Sequence, residues 1–227
     1  MFNFDVISDN LSYFVIGLYP HGQLGGFALT IYLAVTSCAL SLIFGIVLGL
    51  LGVSRNVFVR RGAKLYCEFM RGMPLIMVIF WMYFMLPLVT GGAVPESRTV
   101  IMALTLFTSA YMGQIVMAGI AGVPKGQMEA AISTGLGYWR AMFYVVLPQG
   151  LRNMIPSFVN QLVSLIKDTS LAFIVSVPEL TSIATQVNNR TMIYPFEIFI
   201  FIAVLYFSLC YSLTAFSRIL EKRYATK

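Results

Sequence analysis

The sequence predicts an all-α protein that crosses a membrane about five times. Three observations carry that expectation. Of its 227 residues, 59% are hydrophobic and 11% charged, with a mean hydropathy of +0.83. Such a composition suits chains whose backbone polar groups must be satisfied internally in lipid. Several runs carry no charge over the ~20 residues that a helix needs to span the hydrocarbon. The basic residues gather at the ends of these runs, where they set orientation.

Residues 1–20 hold Phe4, Leu11, Phe14 and Leu18 with two acids and close on Tyr19-Pro20-His21-Gly22, which predicts a surface amphipathic helix ended by the proline. Asp5 and Asp9 without a basic residue do not match a cleavable signal peptide, so this stretch is expected to belong to the working chain. From Gly22 to Ser54 there is no charge, predicting a first span at about 26–52, and Gly45 and Gly49 form a small-xxx-small pair suited to close helix packing. Arg55, Arg60, Arg61 and Lys64 mark a cytoplasmic loop. A second span is expected from about 74 to 88 and a third within 99–124, separated by a turn at 91–96. Only 14 uncharged residues separate Arg152 from Lys167, so a fourth span over about 156–177 must carry Lys167 and Asp168 at depth. A polar segment at 179–190 and a last span at about 198–216 complete the chain.

Charge orients these spans. Of fifteen basic residues, twelve fall on one side: Arg55, Arg60, Arg61, Lys64, Arg71, Lys125, Arg140, Arg152, Arg218, Lys222, Arg223 and Lys227. Asp5, Asp9, Glu96, Glu179 and Glu197 fall on the other. Five spans with the N-terminus outside and the C-terminus inside satisfy every loop. The net charge of +6 therefore reflects membrane orientation and not nucleic-acid binding.

Other classes find little support. Cys38, Cys67 and Cys210 lack disulfide or ligand spacing, and a single histidine, His21, excludes a His-rich metal site. No internal repeat supports an inverted-repeat carrier. Nothing matches G-x-x-x-x-G-K-[ST], since Gly122-Val-Pro-Lys-Gly126 lacks both the spacing and the following hydroxyl residue. No HExxH, paired acid or Ser/His set points to an intramembrane enzyme.

One loop stands out. Over 127–148, Met128, Ile132, Leu136, Trp139, Phe143 and Val146 recur three or four apart, a single apolar stripe at helical spacing. Gly135 and Gly137 interrupt it, predicting two short helices that meet at a bend, and Pro148 suits the first turn of the next helix. Periodicity alone leaves two readings open, an interfacial amphipathic helix and a docking loop.

The loop's residues resemble a known signature. Glu129-Ala130-Ala131, then Gly135, then Val145 and Leu147-Pro148 at these spacings resemble the cytoplasmic loop of membrane subunits in bacterial ATP-driven (ABC) importers. Arg71-Gly72-Met73-Pro74-Leu75-Ile76, Lys125-Gly126-Gln127, Leu147-Pro148-Gln149 and Lys167-Asp168-Thr169-Ser170-Leu171 narrow the resemblance to polar amino acid importers over residues 27–222. The run at 74–81 is similar to the glutamate/aspartate branch. The resemblance implies a type I importer permease fold: a single transmembrane domain over 1–227 with a coupling loop at 125–148. It also implies two separate ATPase subunits that bind ATP and magnesium, a second permease subunit (a paralogue favoured over an identical copy) and an external amino-acid-binding protein. This chain itself would hold no cofactor. Glu129, Ala130, Ala131, Gly135, Gly137, Leu147 and Pro148 would couple to the ATPase.

For the substrate path the candidates are Arg71, Met73, Pro74, Gln114, Lys167, Asp168, Thr169 and Ser170. Ionisable groups within a membrane usually face a water-filled or protein-lined route, although Lys167 and Asp168 at an interface would simply snorkel. Arg71 reads equally as a positive-side anchor paired to Glu68 one turn earlier. Glu197 reads first as a helix N-terminal charge. In this family a glutamate usually stands where Gln114 is and an arginine where Met117 is, so an ion pair is replaced at once by neutral residues, a change tolerated when both partners go. The expected function is half of an import pathway for acidic or amide amino acids; the alternative is a self-sufficient channel or ion-coupled carrier.

Overall fold

The protein is described by a computed structural model covering residues 4–225, with side chains through residue 219. The side chains of Lys222 and Arg223, and all of Lys227, lie outside the described residues. Every regular element described is helical: α1 (Asp5–Asp9), α2 (Leu11–Ile16), α3 (Gly26–Gly52), α4 (Val57–Arg71), α5 (Leu75–Thr90), α6 (Glu96–Ala121), α7 (Lys125–Ser133), α8 (Tyr138–Ala141), α9 (Leu147–Asp168), α10 (Leu180–Thr191) and α11 (Pro195–Ala225). A π-helical turn at Met142–Val146 joins α8 to α9, and a 3₁₀ segment at Thr169–Val175 follows α9. Four runs, Gly26–Gly52, Glu96–Ala121, Tyr138–Val175 and Pro195–Ile219, are long and apolar enough to cross a membrane, and the bent pair α4–α5 supplies a fifth.

Helix α6 is the hub. It is buried along most of its length and packs on α3, α4, α5 and α9. The α3–α6 contact is close because glycines leave room: a Cβ on Gly45 would stand 2.3 Å from the Met112 side chain, and one on Gly49 would stand 2.3 Å from Val116. The predicted small-residue pair is thus used for helix packing, as dispersion between closely approached backbones requires in lipid. A core of Leu33, Ile79, Val100, Leu104, Leu165 and neighbours joins α3, α5, α6 and α9 on the half of α6 near Glu96. A second, around Val116, Met142, Val146 and Met154, closes the half near Ala121.

Three elements depart from the sequence expectation. Residues 57–71 form a helix and not a loop, begun by Asn56, whose side chain accepts from the Phe58 and Val59 N–H groups at 3.0 and 3.4 Å. This helix has a lipid-type face (Phe58, Leu65, Phe69 exposed), a packed face (Ala63, Cys67) and a charged face, and that mixture hides it from a hydropathy reading. It meets α5 at 103° across Gly72-Met73-Pro74, because Pro74 forbids its predecessor the helical region. The fourth span starts earlier than 156, since Pro156 sits inside α9 and the helix is continuous from α8. The N-terminal surface helix is two short ones, tied down by Val6 and by Phe14, whose ring meets Phe201 at 5.3 Å.

Candidate functional site

The 125–148 segment forms as two helices about a glycine bend. Gly135 has φ +89°, a conformation that L side chains resist, and Gly137 is the N-cap of α8. Glu129 and Ala130 are exposed on α7, Ala131 is buried, Leu147 is buried, and Pro148 occupies the first turn of α9. The six apolar residues of the expected stripe divide, with Leu136 half-buried at the bend itself. Val146 is buried with Val116, Ile120 and Met154, and Met128 packs against that cluster. Ile132, Trp139 and Phe143 instead point outward, at 41–50% exposure, with the Trp139 and Phe143 rings 6.2 Å apart. Each set has members on both sides of the bend, so the stripe is split by packing within each short helix. Arg55 stacks 4.1 Å from the Tyr138 ring and ties this segment to the end of α3.

A polar face runs up the body of the molecule. On α9, Asn153, Ser157, Asn160, Ser164 and Lys167 follow one another at helical spacing, and all but the half-buried Ser164 are exposed. Asn153 and Ser157 line a cavity of about 400 Å³ with Gln114, Ala118 and Gly122 of α6 and its end. Gln114 and Ala118 also line an adjoining cavity of about 350 Å³ against Lys64 and Glu68 of α4. Arg61, Lys64, Glu68 and Arg71 share the charged face of α4, spaced three or four apart. Thus a chain that is otherwise apolar presents one groove floored by α6 and walled by α4 and α9.

The predicted path residues do not all lie on this face. Arg71 stacks 5.3 Å from the ring of Tyr111, alongside the middle of α6. Pro74 is exposed at the start of α5, and Met73 packs against the core. Gln114 is exposed, at the junction of the two cavities, whereas Met117 is buried with Cys67 and Ala110 and would abut a Cβ on Gly52. The two departures from the family pattern therefore look in different directions. Lys167 is exposed and Asp168 half-buried at the end of α9, about 15 Å along the helix from Ser157. Thr169 is buried and donates to the Ile166 carbonyl at 2.6 Å, so it faces the core; Ser170 donates to the Lys167 carbonyl at 2.6 Å.

Sequence reasoning passed over two sets. The α9 stripe was readable as polar residues spaced three or four apart inside a greasy stretch. The second is Glu179, an acid expected in an exposed polar segment but wholly buried as the N-cap of α10. Nothing in the local sequence shows that its neighbours come from three helices.

Among the described residues, four candidate spans plus one broken span enclose a polar groove, an arrangement suited to a membrane permease. Residues 41–226 match the family model described as "Binding-protein-dependent transport system inner membrane component", and the chain belongs to that family. It is similar to the "Probable glutamine ABC transporter permease protein GlnP" of Bacillus subtilis (strain 168), 38% identical over 92% of this chain and 98% of that one. It is also similar to the "Glutamate/aspartate import permease protein GltK" of Escherichia coli O6:H1 (strain CFT073), 29% identical over 89% of this chain and 93% of that one. Among solved structures, "Crystal structure of an amino acid ABC transporter with histidines" superposes with a TM-score of 0.84 at 26% identity, covering 98% and 99% of the two chains. The protein is accordingly a multi-pass inner-membrane permease subunit of an amino-acid ABC importer, working with ATPase and permease partners. These relatives support an importer subunit over a self-sufficient channel or carrier.

Proposed function

We propose that this chain forms half of the passage for acidic or amide L-amino acids, with its polar groove turned toward a second permease subunit. The observation that carries this is the continuous polar face of α9 beside the two cavities at Gln114. Within it, Arg71 and Lys167 offer cations to a substrate carboxylate, and Asp168, Ser170 and Gln114 offer polar partners. Met73 and Pro74 set the break between α4 and α5, which leaves backbone near the route. Thr169 supports that wall from the core side.

The 125–148 segment serves as the coupling loop. Exposed Trp139, Phe143 and Ile132 enter a groove on an ATPase subunit, while Glu129 meets a donor there, so a movement of that subunit passes to α9 through the continuous α8–α9 run. Ala130 and Ala131 keep α7 slim, Gly135 and Gly137 provide the bend, and Leu147-Pro148 anchor the start of α9. Magnesium and ATP belong to two such subunits. An external binding protein delivers the amino acid at the end that carries Glu96 and Glu179, which is outside, as is the N-terminus; the C-terminus is inside. The paired permease is a paralogue, consistent with the neutral Gln114 and Met117 here, and annular lipid covers the remaining apolar surface.

The test is uptake of L-glutamine and L-glutamate into proteoliposomes holding the whole complex and its binding protein. ATP-dependent uptake is expected, competed by the unlabelled amino acid. Uptake that persists without the ATPase subunits overturns the reading.

A further inference from the structure

Beyond the groove lies a buried carboxylate, Glu179, held by three hydrogen bonds. Glu179 Oε1 accepts from the Ser182 N–H at 2.8 Å, and Oε2 accepts from the Thr181 N–H at 2.9 Å and from the Tyr206 hydroxyl at 3.1 Å. The backbone on either side is held as well. The Gly26 N–H donates to the Pro178 carbonyl at 2.8 Å, and the Leu180 N–H donates to Thr30 Oγ1 at 3.1 Å. Residues 178–180 thereby fasten α3, α10 and α11 together.

This knot ends the segment that leaves α9. Lys167 and Ser170 lead through the 3₁₀ turns of Thr169–Val175 to Ser176, which takes the left-handed region at φ 62°, and then to Val177 and Pro178. Clefts of about 330 and 220 Å³ flank Ser176 and Pro178, so the connection has room to shift on both sides of its anchor.

The carboxyl also has an alternative partner arrangement. Tyr206 Oη lies 3.4 Å from Thr181 Oγ1. With Glu179 ionised, the phenol donates to the carboxylate. With Glu179 neutral, the acid O–H donates to the phenol oxygen, and the phenol turns its proton to Thr181 Oγ1. Both arrangements keep the buried hydroxyl satisfied, which is the condition for a buried polar group to occupy either state at modest cost.

We propose that Glu179 and Tyr206 are positioning residues for transport, a latch that sets the end of the Thr169–Val175 segment and changes its grip when Glu179 gains or loses a proton. Burial pushes the Glu179 carboxyl up to about 7, against the opposing pull of the Thr181 and Ser182 N–H groups and the Tyr206 hydroxyl. The groups facing it are Gly26 and Thr30 from α3, Thr181 and Ser182 from α10, and titratable Tyr206 from α11. Glu96 and Tyr32 line the cleft beyond Val177 and Pro178, and Arg190 is stacked on Tyr13 elsewhere on α10. The inference rests on reading Lys167 to Ser170 as part of the substrate route.

Two measurements on the intact complex in proteoliposomes test it. The first is the labelling rate of S176C by a membrane-impermeant maleimide, divided by that of V89C, an exposed reference at the same end, over external pH 6–8. The ratio is expected to change about threefold, half a pKa unit of differential grip, with a midpoint near 7. E179Q flattens this transition. Y206F, which keeps the carboxyl and both backbone bonds, moves it to higher pH because a donor to the ionised form is lost. The second measurement is the KM for L-glutamine and L-glutamate uptake, which follows the same transition in the native complex and is flat in E179Q. A labelling ratio independent of pH, or a transition unmoved in E179Q or in Y206F, overturns the latch. A labelling transition that KM does not follow overturns its role in positioning. Failure of the route reading shows separately, as K167Q and R71Q leaving KM unchanged.

Discussion

At the scale of single residues, charge and backbone conformation decide most of what is testable. Lys167 is exposed at the end of the polar stripe, so K167Q is expected to raise the uptake KM by about tenfold, the equivalent of one lost charge-assisted contact of roughly 1.4 kcal/mol, without lowering the amount of chain in the membrane. Gly135 has φ +89°, so G135V strains the bend by about 1–3 kcal/mol; E129K reverses a charge on the exposed face of α7. Both are expected to uncouple ATP hydrolysis from uptake, and wild-type uptake in the two would remove the coupling role. Glu179 makes a signed prediction. Its folded pKa is raised from 4.5 to about 7, so the folded chain holds a proton that the unfolded chain has released between those values. Stability therefore falls as pH rises through that window, and the Tm of the detergent-solubilised protein should drop between pH 5 and pH 7.5, a change absent from E179Q. Gly135 and Glu129 could be picked out from sequence because their motif is local. Glu179 could not, because its burial depends on Thr30 of α3, which bonds its neighbour Leu180 from 150 residues away, and on Tyr206 of α11, 27 residues on.

At the scale of elements, hydropathy and the hydrogen-bonding rule for lipid explain why α3, α6 and α11 were legible and why α4 was not. A helix with three different faces averages to a low mean hydropathy, so residues 55–64 read as a positive loop although the chain is helical from Val57 onward. The bend of 103° after it also moves Arg71 to the middle of α6. The close approach of α3 and α6 gives a prediction at this scale: G49L forces a side chain into Val116 and is expected to destabilise the bundle by about 1–3 kcal/mol, seen as lower Tm and lower yield, while G62L on the open face of α4 is neutral. The N-terminal helices are part of the fold through Phe14, which is fully buried, so F14A should cost about 3–5 kcal/mol and loosen α10 and α11.

At the scale of the whole molecule, a polar groove and an exposed bent segment interrupt an otherwise apolar bundle, and the proposed function assigns them substrate passage and coupling. Orientation belongs here too. A cysteine placed at Trp139 is expected to resist an impermeant label added outside intact cells, while one at Val89 reacts; the reverse pattern would overturn the proposed topology. Composition, charge-free run lengths and the placement of basic residues were sufficient to establish an all-α, roughly five-span membrane protein, because the bilayer allows few ways to satisfy a backbone. The spacing from Glu129 to Pro148 was likewise enough to mark the bend. Which apolar residues of that bend turn inward, where Arg71 and Gln114 lie relative to the cavities, and that Glu179 is buried among α3, α10 and α11 were decided only by tertiary packing. Those facts depend on contacts between residues far apart in the chain, and no local pattern carries such information.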